Sequence, residues 1–339
     1  MMIRICLSLI ALLFAAPLYA QEVAPDDFDA ETILALKGLQ LLDHRLNAIG
    51  YQLTEANAPY CTDKVPRTGM LLHAIDQYPD HAAARFALGL DGPVAVNAVA
   101  PDSPAADAGL VPGDDILAIN GTKVEAIPLN DPAIANELAN YRRIAAVNYR
   151  LDEALSQGDV TLDILRGGQQ SQVTLQSQPA CPSRFQIKVS EDRGASADGN
   201  IVSVTSRMSE YFLTDDEFAA VVAHELAHNL LKHRERLDAQ GVNRGFFGQF
   251  GKSAGRIKSA EIEADKLSIW LMANAGYDPQ AAVRFWTRYG KEHGKGIFSA
   301  STHYRWKKRV ALFKEQIAKM ASMTPVEGKY APPLLAKTK

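Results

Sequence analysis

The chain has 339 residues, 47% of them hydrophobic and 22% charged, a globular composition with length for two compact domains. Its net charge is −3 and no long basic or acidic run stands out, which argues against nucleic acid as a partner.

The first twenty residues, "MMIRICLSLIALLFAAPLYA", carry one positive charge, Arg4, and then an apolar run over 5–16, followed by small residues before Ala20. This reads as a secretory signal cleaved after Ala20, with an uncleaved anchor disfavoured because the run is short for a membrane span. Cleavage leaves a soluble, exported, periplasmic protein of the cell envelope. It also removes Cys6, leaving Cys61 and Cys181 of the three cysteines. An isolated pair in an exported protein is a disulfide candidate, the alternative being two buried thiols that never meet. The bridge would close a loop of about 120 residues, worth roughly 3–5 kcal/mol.

Residues 29–49 have apolar positions at helical spacing and run into Gly50, which suits a C-cap. "YQLTEA" (51–56) reads as a short strand after it. Between the cysteines the texture changes to short strands and Pro/Gly turns, a helical run over 136–155, and a hairpin about Gly167-Gly168. In "SPAADAGLVPGDDILAINGTKV", Ser103-Pro104 starts a short helix and Gly109 ends it. Pro112-Gly113-Asp114 turns the chain into a strand, and Asn120-Gly121 suits a tight hairpin. This stretch resembles the signature of bacterial PDZ domains. The resemblance implies a peptide added as an extra strand at an open sheet edge, its C-terminus held by backbone N–H groups. The nearest match to that holding loop is "ALGL" (87–90), with Leu88, Gly89 and Leu90. The alternative is a β-rich domain that only packs against its neighbour.

After Cys181, "RFQIKVSED" and "NIVSVTS" read as two strands joined by a Gly/Asp-rich turn, and helices follow. In "LTDDEFAAVVAHELAHNLLKHRERL", Thr214 and Glu217 form a capping box, and Asp215 and Asp216 suit the positive end of the helix dipole. Residues four apart on a helix differ by about 40° around its axis, so His224 and His228 point the same way one turn apart. Two imidazoles so placed can share a metal ion, with Glu225 close enough to meet a water on it. Zinc would lower the pKa of that water toward about 7, and Glu225 would take its proton.

A third ligand decides between a metal site and a polar helix face. The route through a later histidine on the same helix fails, because Leu231 and Arg234 occupy its positions. His233 faces about 140° from His228 on an ideal helix and reads as a surface residue or one behind the ligands. The other route is open. "SAEIEADKLSIWLMANAGYDP" is helical, with Glu261 and Asp265 on one face. Glu261 can ligate while Asp265 fixes a histidine ring, and Glu263 points elsewhere, toward solvent.

"HELAH" followed by "EIEAD" resembles the gluzincin metalloprotease family of CAAX prenyl endopeptidases and HtpX-type envelope proteases. "STHYRWKKRVALF" (301–313) adds to the likeness. The resemblance implies one zinc per chain on His224, His228 and Glu261, with Glu225 as base. His303 would stabilise the developing oxyanion or cap the zinc at rest, although Tyr304 stands where the family often has proline. The edge of "NIVSVTS" would bind substrate backbone. The Gly-rich 239–256, with Phe246, Phe247 and Phe250, is either a lid or a loose connection.

The expected fold is therefore α+β, a zincin-like helix-rich domain with a small sheet and an inserted β-rich PDZ-like domain. The expected division is 1–20 signal, 21–60 the start of the catalytic domain, 61–181 PDZ-like, 182–325 the metalloprotease domain and 326–339 a tail. The implied activity is endopeptidase action on unfolded or misassembled proteins, including membrane-associated ones, with a peptide C-terminus as a partner of the PDZ-like domain. The competing readings are a latent, chaperone-like binder with a gated zinc site, and a PDZ adaptor on a helical scaffold.

Overall fold

The computed structural model describes residues 28–242, 251–293 and 306–335. Residues 1–27, 243–250, 294–305 with His303, and 336–339 lie outside them.

Helix α1 (Ala30–Ala56) begins at Asp29, whose side chain accepts from the Thr32 N–H. It does not stop at Gly50, and residues 51–56 are helix rather than strand. Leu46, Ile49, Leu53 and Ala56 keep a buried stripe at helical spacing through the glycine. Gly50 is there for close approach, since a Cβ at this position would lie 2.3 Å from Cδ2 of Phe185.

The chain then enters a unit with its own apolar cluster. Strands β1 (Val65–Arg67), β2 (Met70–Ala74), helix α2 (His81–Leu88), β3 (Val94–Val99), helix α3 (Pro104–Asp107), β4 (Asp115–Ile119) and β5 (Thr122–Lys123) come first. Helix α4 (Arg142–Gln157), β6 (Val160–Arg166), β7 (Gln169–Leu175) and β8 (Gln178–Ala180) complete it. The antiparallel sheet runs β2-β3-β4-β6-β7, with β5 folded back on β4. Asn120 and Gly121 both have positive φ, the conformation a tight hairpin needs. Helix α4 covers one face, where Ile144, Val147, Leu151 and Leu155 pack with Leu72, Val94, Ile116 and Leu162. At the root β1 pairs with β8, and Cys61 and Cys181 form a disulfide beside them. The Cys181 N–H donates to Thr54 O of α1, 3.0 Å away.

The remaining chain returns to α1. Strands β9 (Arg184–Lys188), β10 (Ala195–Ala197) and β11 (Ile201–Thr205) form a sheet in the order β10-β11-β9. The two anticipated strands thus pair in parallel, with β10 a third, antiparallel partner of β11. "NIVSVTS" consequently lies in the middle and offers no open edge, which falls to β10 and β9. Helices α5 (Ser206–Ser209), α6 (Asp215–Leu230), α7 (His233–Ala239), α8 (Gly251–Asn274), α9 (Gln280–His293) and α10 (Trp306–Ala321) follow. The Gly-rich segment is therefore already helical from Gly251 onward. Helix α6 is central, packed by α1, α8 and α9, and it is buried on nearly every side. Among the described residues no helix is long and apolar enough to cross a membrane.

Helix α1 also serves the inserted unit. Gln40 Nε2 donates to Asn97 O (3.4 Å), Asn97 Nδ2 to Asp43 Oδ2 (2.9 Å) and Asn47 Nδ2 to Gly69 O (2.8 Å). Burial raises the Asp43 carboxyl from its ordinary 3.8 to about 6, against the opposing hydrogen bonds from Asn97 and the Ile187 N–H. The folded chain therefore holds a proton that the unfolded chain has released, and stability falls as pH rises between these two values. Asp43→Asn should remove that slope. Melting temperatures of the two proteins should diverge in favour of the variant as pH rises through that window and run parallel above it. Curves parallel throughout would refute the assignment.

Candidate metal centre

Helix α6 starts where the sequence directs it. Thr214 Oγ1 accepts from the Glu217 N–H (3.3 Å), and Glu217 reaches back to the Leu213 N–H (3.0 Å) rather than to that of Thr214. Arg288 of α9 holds the same carboxylate at 2.7 Å. With its start fixed, α6 delivers His224 and His228 one turn apart, their Nε2 atoms 3.2 Å from each other. From α8, Glu261 brings Oε2 to 3.5 Å from His224 Nε2 and Oε1 to 3.5 Å from His228 Nε2. A tetrahedral zinc with ligands at about 2.0–2.2 Å keeps neighbouring ligand atoms about 3.3 Å apart. Two imidazole nitrogens and a carboxylate at the observed separations match that spacing and that donor preference. Glu225, the next residue after His224, is half-buried.

Each histidine is backed differently. Asp265 Oδ1 lies 2.9 Å from His224 Nδ1, which leaves Nε2 to face Glu261 and His228. Arg309 of α10 donates through Nε to the same Asp265 oxygen (2.7 Å), and its Nη2 lies 2.9 and 3.1 Å from the two ring nitrogens of His224. Its guanidinium stacks on Trp286 at 3.7 Å. Asp265 and Arg309 are almost wholly buried, so each is the other's charge compensation. Behind His228 stands His233, its Nδ1 2.9 Å from His228 Nδ1. His233 Nε2 in turn lies 3.1 Å from Glu263 Oε2, and Arg236 donates to that oxygen at 2.8 Å.

Of the two places open to His233, the surface and a position behind the ligands, the structure has the second, and Glu263, expected to face solvent, meets it there. The place of His233 was read on an unbroken helix, whereas α6 ends at Leu230, with Leu231 its C-cap, and Lys232 takes a left-handed conformation (φ 52°). That kink swings His233 back under His228. Lysine at such a position gives no warning in a sequence, unlike glycine.

Burial, reinforced by the charge of His224, pushes His228 down to about 3. Burial and Arg309 also press His224 down, but its hydrogen bonds to Asp265 and Glu261 outweigh them and raise it to about 9.

His303 lies outside the described residues, as do Phe246, Phe247 and Phe250. Leu88, Gly89 and Leu90 do not form an open cradle. Leu88 ends α2, Gly89 is its left-handed cap with its N–H donated to Arg85 O (3.0 Å), and Leu90 is fully buried. The turn that enters the edge strand β2 is Thr68-Gly69-Met70, where Gly69 has φ 76° and a Cβ would lie 2.3 Å from that of Ser103. A glycine immediately before the apolar run "MLLHAI" was the sequence signal for it.

Compared with known proteins, residues 183–260 match the model of peptidase family M48, and residues 95–139 match that of the PDZ domain. The M48 match includes "HELAH" and ends one residue before Glu261, whose place in the cluster rests on geometry. The chain is similar to the mitochondrial metalloendopeptidase OMA1 of Schizosaccharomyces pombe, 32% identical over 122 residues, covering 30% of this chain and 36% of that protein. The Arabidopsis thaliana protein of the same name is 30% identical over 138 residues, covering 34% and 27%. A Vibrio cholerae protein named as a beta-barrel assembly-enhancing protease is 24% identical over 222 residues, covering 52% and 45%. The chain thus spans less than half the length of each of these relatives.

Proposed function

We propose, from an M48 peptidase segment and a PDZ domain in one chain, that this protein is a zinc-dependent endopeptidase of the cell envelope. It would act on unfolded or misassembled proteins, the Vibrio relative's name pointing toward those of beta-barrel assembly. The observation that carries the reading is the convergence of His224, His228 and Glu261, whose ligand atoms all lie within 4.8 Å of one another.

His224, His228 and Glu261 would hold the zinc, which when bound would supply a water of lowered pKa and polarise the scissile carbonyl. Glu225, beside His224 on α6, accepts the proton of the attacking water and passes it to the leaving amine. Asp265, fixed by Arg309, holds Nδ1 of His224 and so orients the ring with Nε2 toward Glu261 and His228. His303 is the proposed donor to the carbonyl oxygen as negative charge builds there. Strand β10, which packs on α6 and among the described residues is paired on one side only, is the proposed edge for substrate backbone, in place of the central β11. Backbone pairing of this kind favours extended, unfolded segments. In the PDZ domain, Thr68-Gly69-Met70 and β2 are the proposed seat of a peptide C-terminus.

The test is digestion of casein by the purified chain with and without a chelator, followed by zinc restoration. Cleavage that stops on chelation and returns with zinc is expected. Cleavage indifferent to the chelator, or no zinc uptake, would overturn the assignment.

A further inference from the structure

We infer that His233 is a positioning residue for the metal ligand His228, linking it to Glu263 through two imidazoles of fixed tautomer. The inference rests on the reading of His224, His228 and Glu261 as ligands.

His228 turns Nε2 toward His224 and Glu261, at 3.2 and 3.5 Å. A ligating nitrogen carries no proton, so the neutral ring keeps its proton on Nδ1. That atom lies 2.9 Å from His233 Nδ1, and two ring nitrogens at this distance need one N–H and one lone pair. His228 therefore donates and His233 accepts. The proton of His233 must then be on Nε2, and Glu263 Oε2 is there to receive it at 3.1 Å. Arg236 donates to the same oxygen at 2.8 Å, which keeps Glu263 an acceptor. Every proton along the path has one consistent place.

The fold is built to make this contact. Only the left-handed Lys232 between α6 and α7 brings His233 under His228, with the rings edge to face at 4.8 Å. His233 is 2% exposed, yet both its nitrogens have partners. The contrast with His224 explains the interposed ring. His224 has a carboxylate directly behind it, Asp265, and burying that charge requires the buried Arg309. His228 obtains the same orientation from a carboxylate that stays one imidazole further out, with 26% of its side chain exposed. A third buried carboxylate beside the cluster is thereby avoided.

The experiment measures zinc affinity of the full chain by competition with a chromophoric chelator. His233→Leu removes the acceptor, and His233→Asn puts an amide oxygen near the place of Nδ1. His233→Leu is expected to bind zinc 10–100-fold more weakly, and His233→Asn to recover most of that loss. Glu263→Ala, a change at a partly exposed position, should weaken binding several-fold and serves if His233→Leu folds poorly. Nitrogen-detected NMR of the zinc-loaded wild type should show His228 protonated on Nδ1 and His233 on Nε2. Undiminished affinity in both His233→Leu and Glu263→Ala, equal losses in the two His233 variants, or the opposite His233 tautomer would overturn the inference. A wild type that takes up no zinc would instead overturn the metal reading beneath it.

Discussion

Replacing Glu225 by glutamine is expected to leave a folded, zinc-loaded protein that cleaves casein at least a hundredfold more slowly. A positioned general base contributes about 10²–10⁴ in rate, or roughly 3–5 kcal/mol of barrier. Glutamine has nearly the size of glutamate, so the packing of α6 should survive, and it cannot accept a proton at neutral pH. Glu225 stands outside the set of His224, His228 and Glu261 whose atoms converge, so metal content should not change. The informative comparison is with Glu261→Gln, which should lose zinc and activity together. Full activity in Glu225→Gln would remove this residue from the proton path. Zinc loss in Glu225→Gln would assign it a ligating role instead.

Opening the disulfide should carry the largest cost in stability. Cys61 and Cys181 are 120 positions apart, and closing such a loop in the unfolded chain is worth about 5 kcal/mol in the chain-entropy model. Both cysteines are buried at the root of the inserted unit, beside the β1–β8 ribbon and the bond from Cys181 to α1. A Cys61→Ser/Cys181→Ser double variant should lower the denaturation midpoint strongly, while reductant should do the same to the wild type and nothing further to the variant. All three tryptophans, Trp270, Trp286 and Trp306, belong to the half that carries the metal cluster, so their fluorescence reports on that half alone. A loss below about 1 kcal/mol would mean that the unfolded loop is already compact, and would refute the entropic account.

What the sequence disclosed follows physical range. Features governed by neighbours within one or two turns were readable. Thr214 and Glu217 announce the start of α6, and four-residue spacing puts His224 with His228 and Glu261 with Asp265. Asn120-Gly121 and Gly167-Gly168 mark their hairpins. Features decided by distant packing were not. Gly50 looks like a helix stop until Phe185, 135 positions later, fills the space beside it. "NIVSVTS" has the pattern of any strand, and only its parallel pairing with β9 and antiparallel pairing with β10 make it central. His233 stayed open between the surface and a place behind the ligands because the break at Lys232 has no signal, and Glu263 read as solvent-facing because its partner His233 lies 30 positions away on another helix. Arg309 showed only as part of a family pattern, and its contacts with Asp265, His224 and Trp286 join three helices that no local rule relates.

The Cα atoms of Cys61 and Cys181 are 5.6 Å apart, a gap that a single residue can bridge. The main chain thus enters and leaves the inserted unit through one doorway. Topologically, α1 and β9 are almost consecutive elements of one fold, and about 120 residues hang from the seam between them. A gene with that interval excised and one glycine in its place would encode an unbroken path from α1 to the helix that bears His224. The insert, closed head to tail at the same seam, would be a ring.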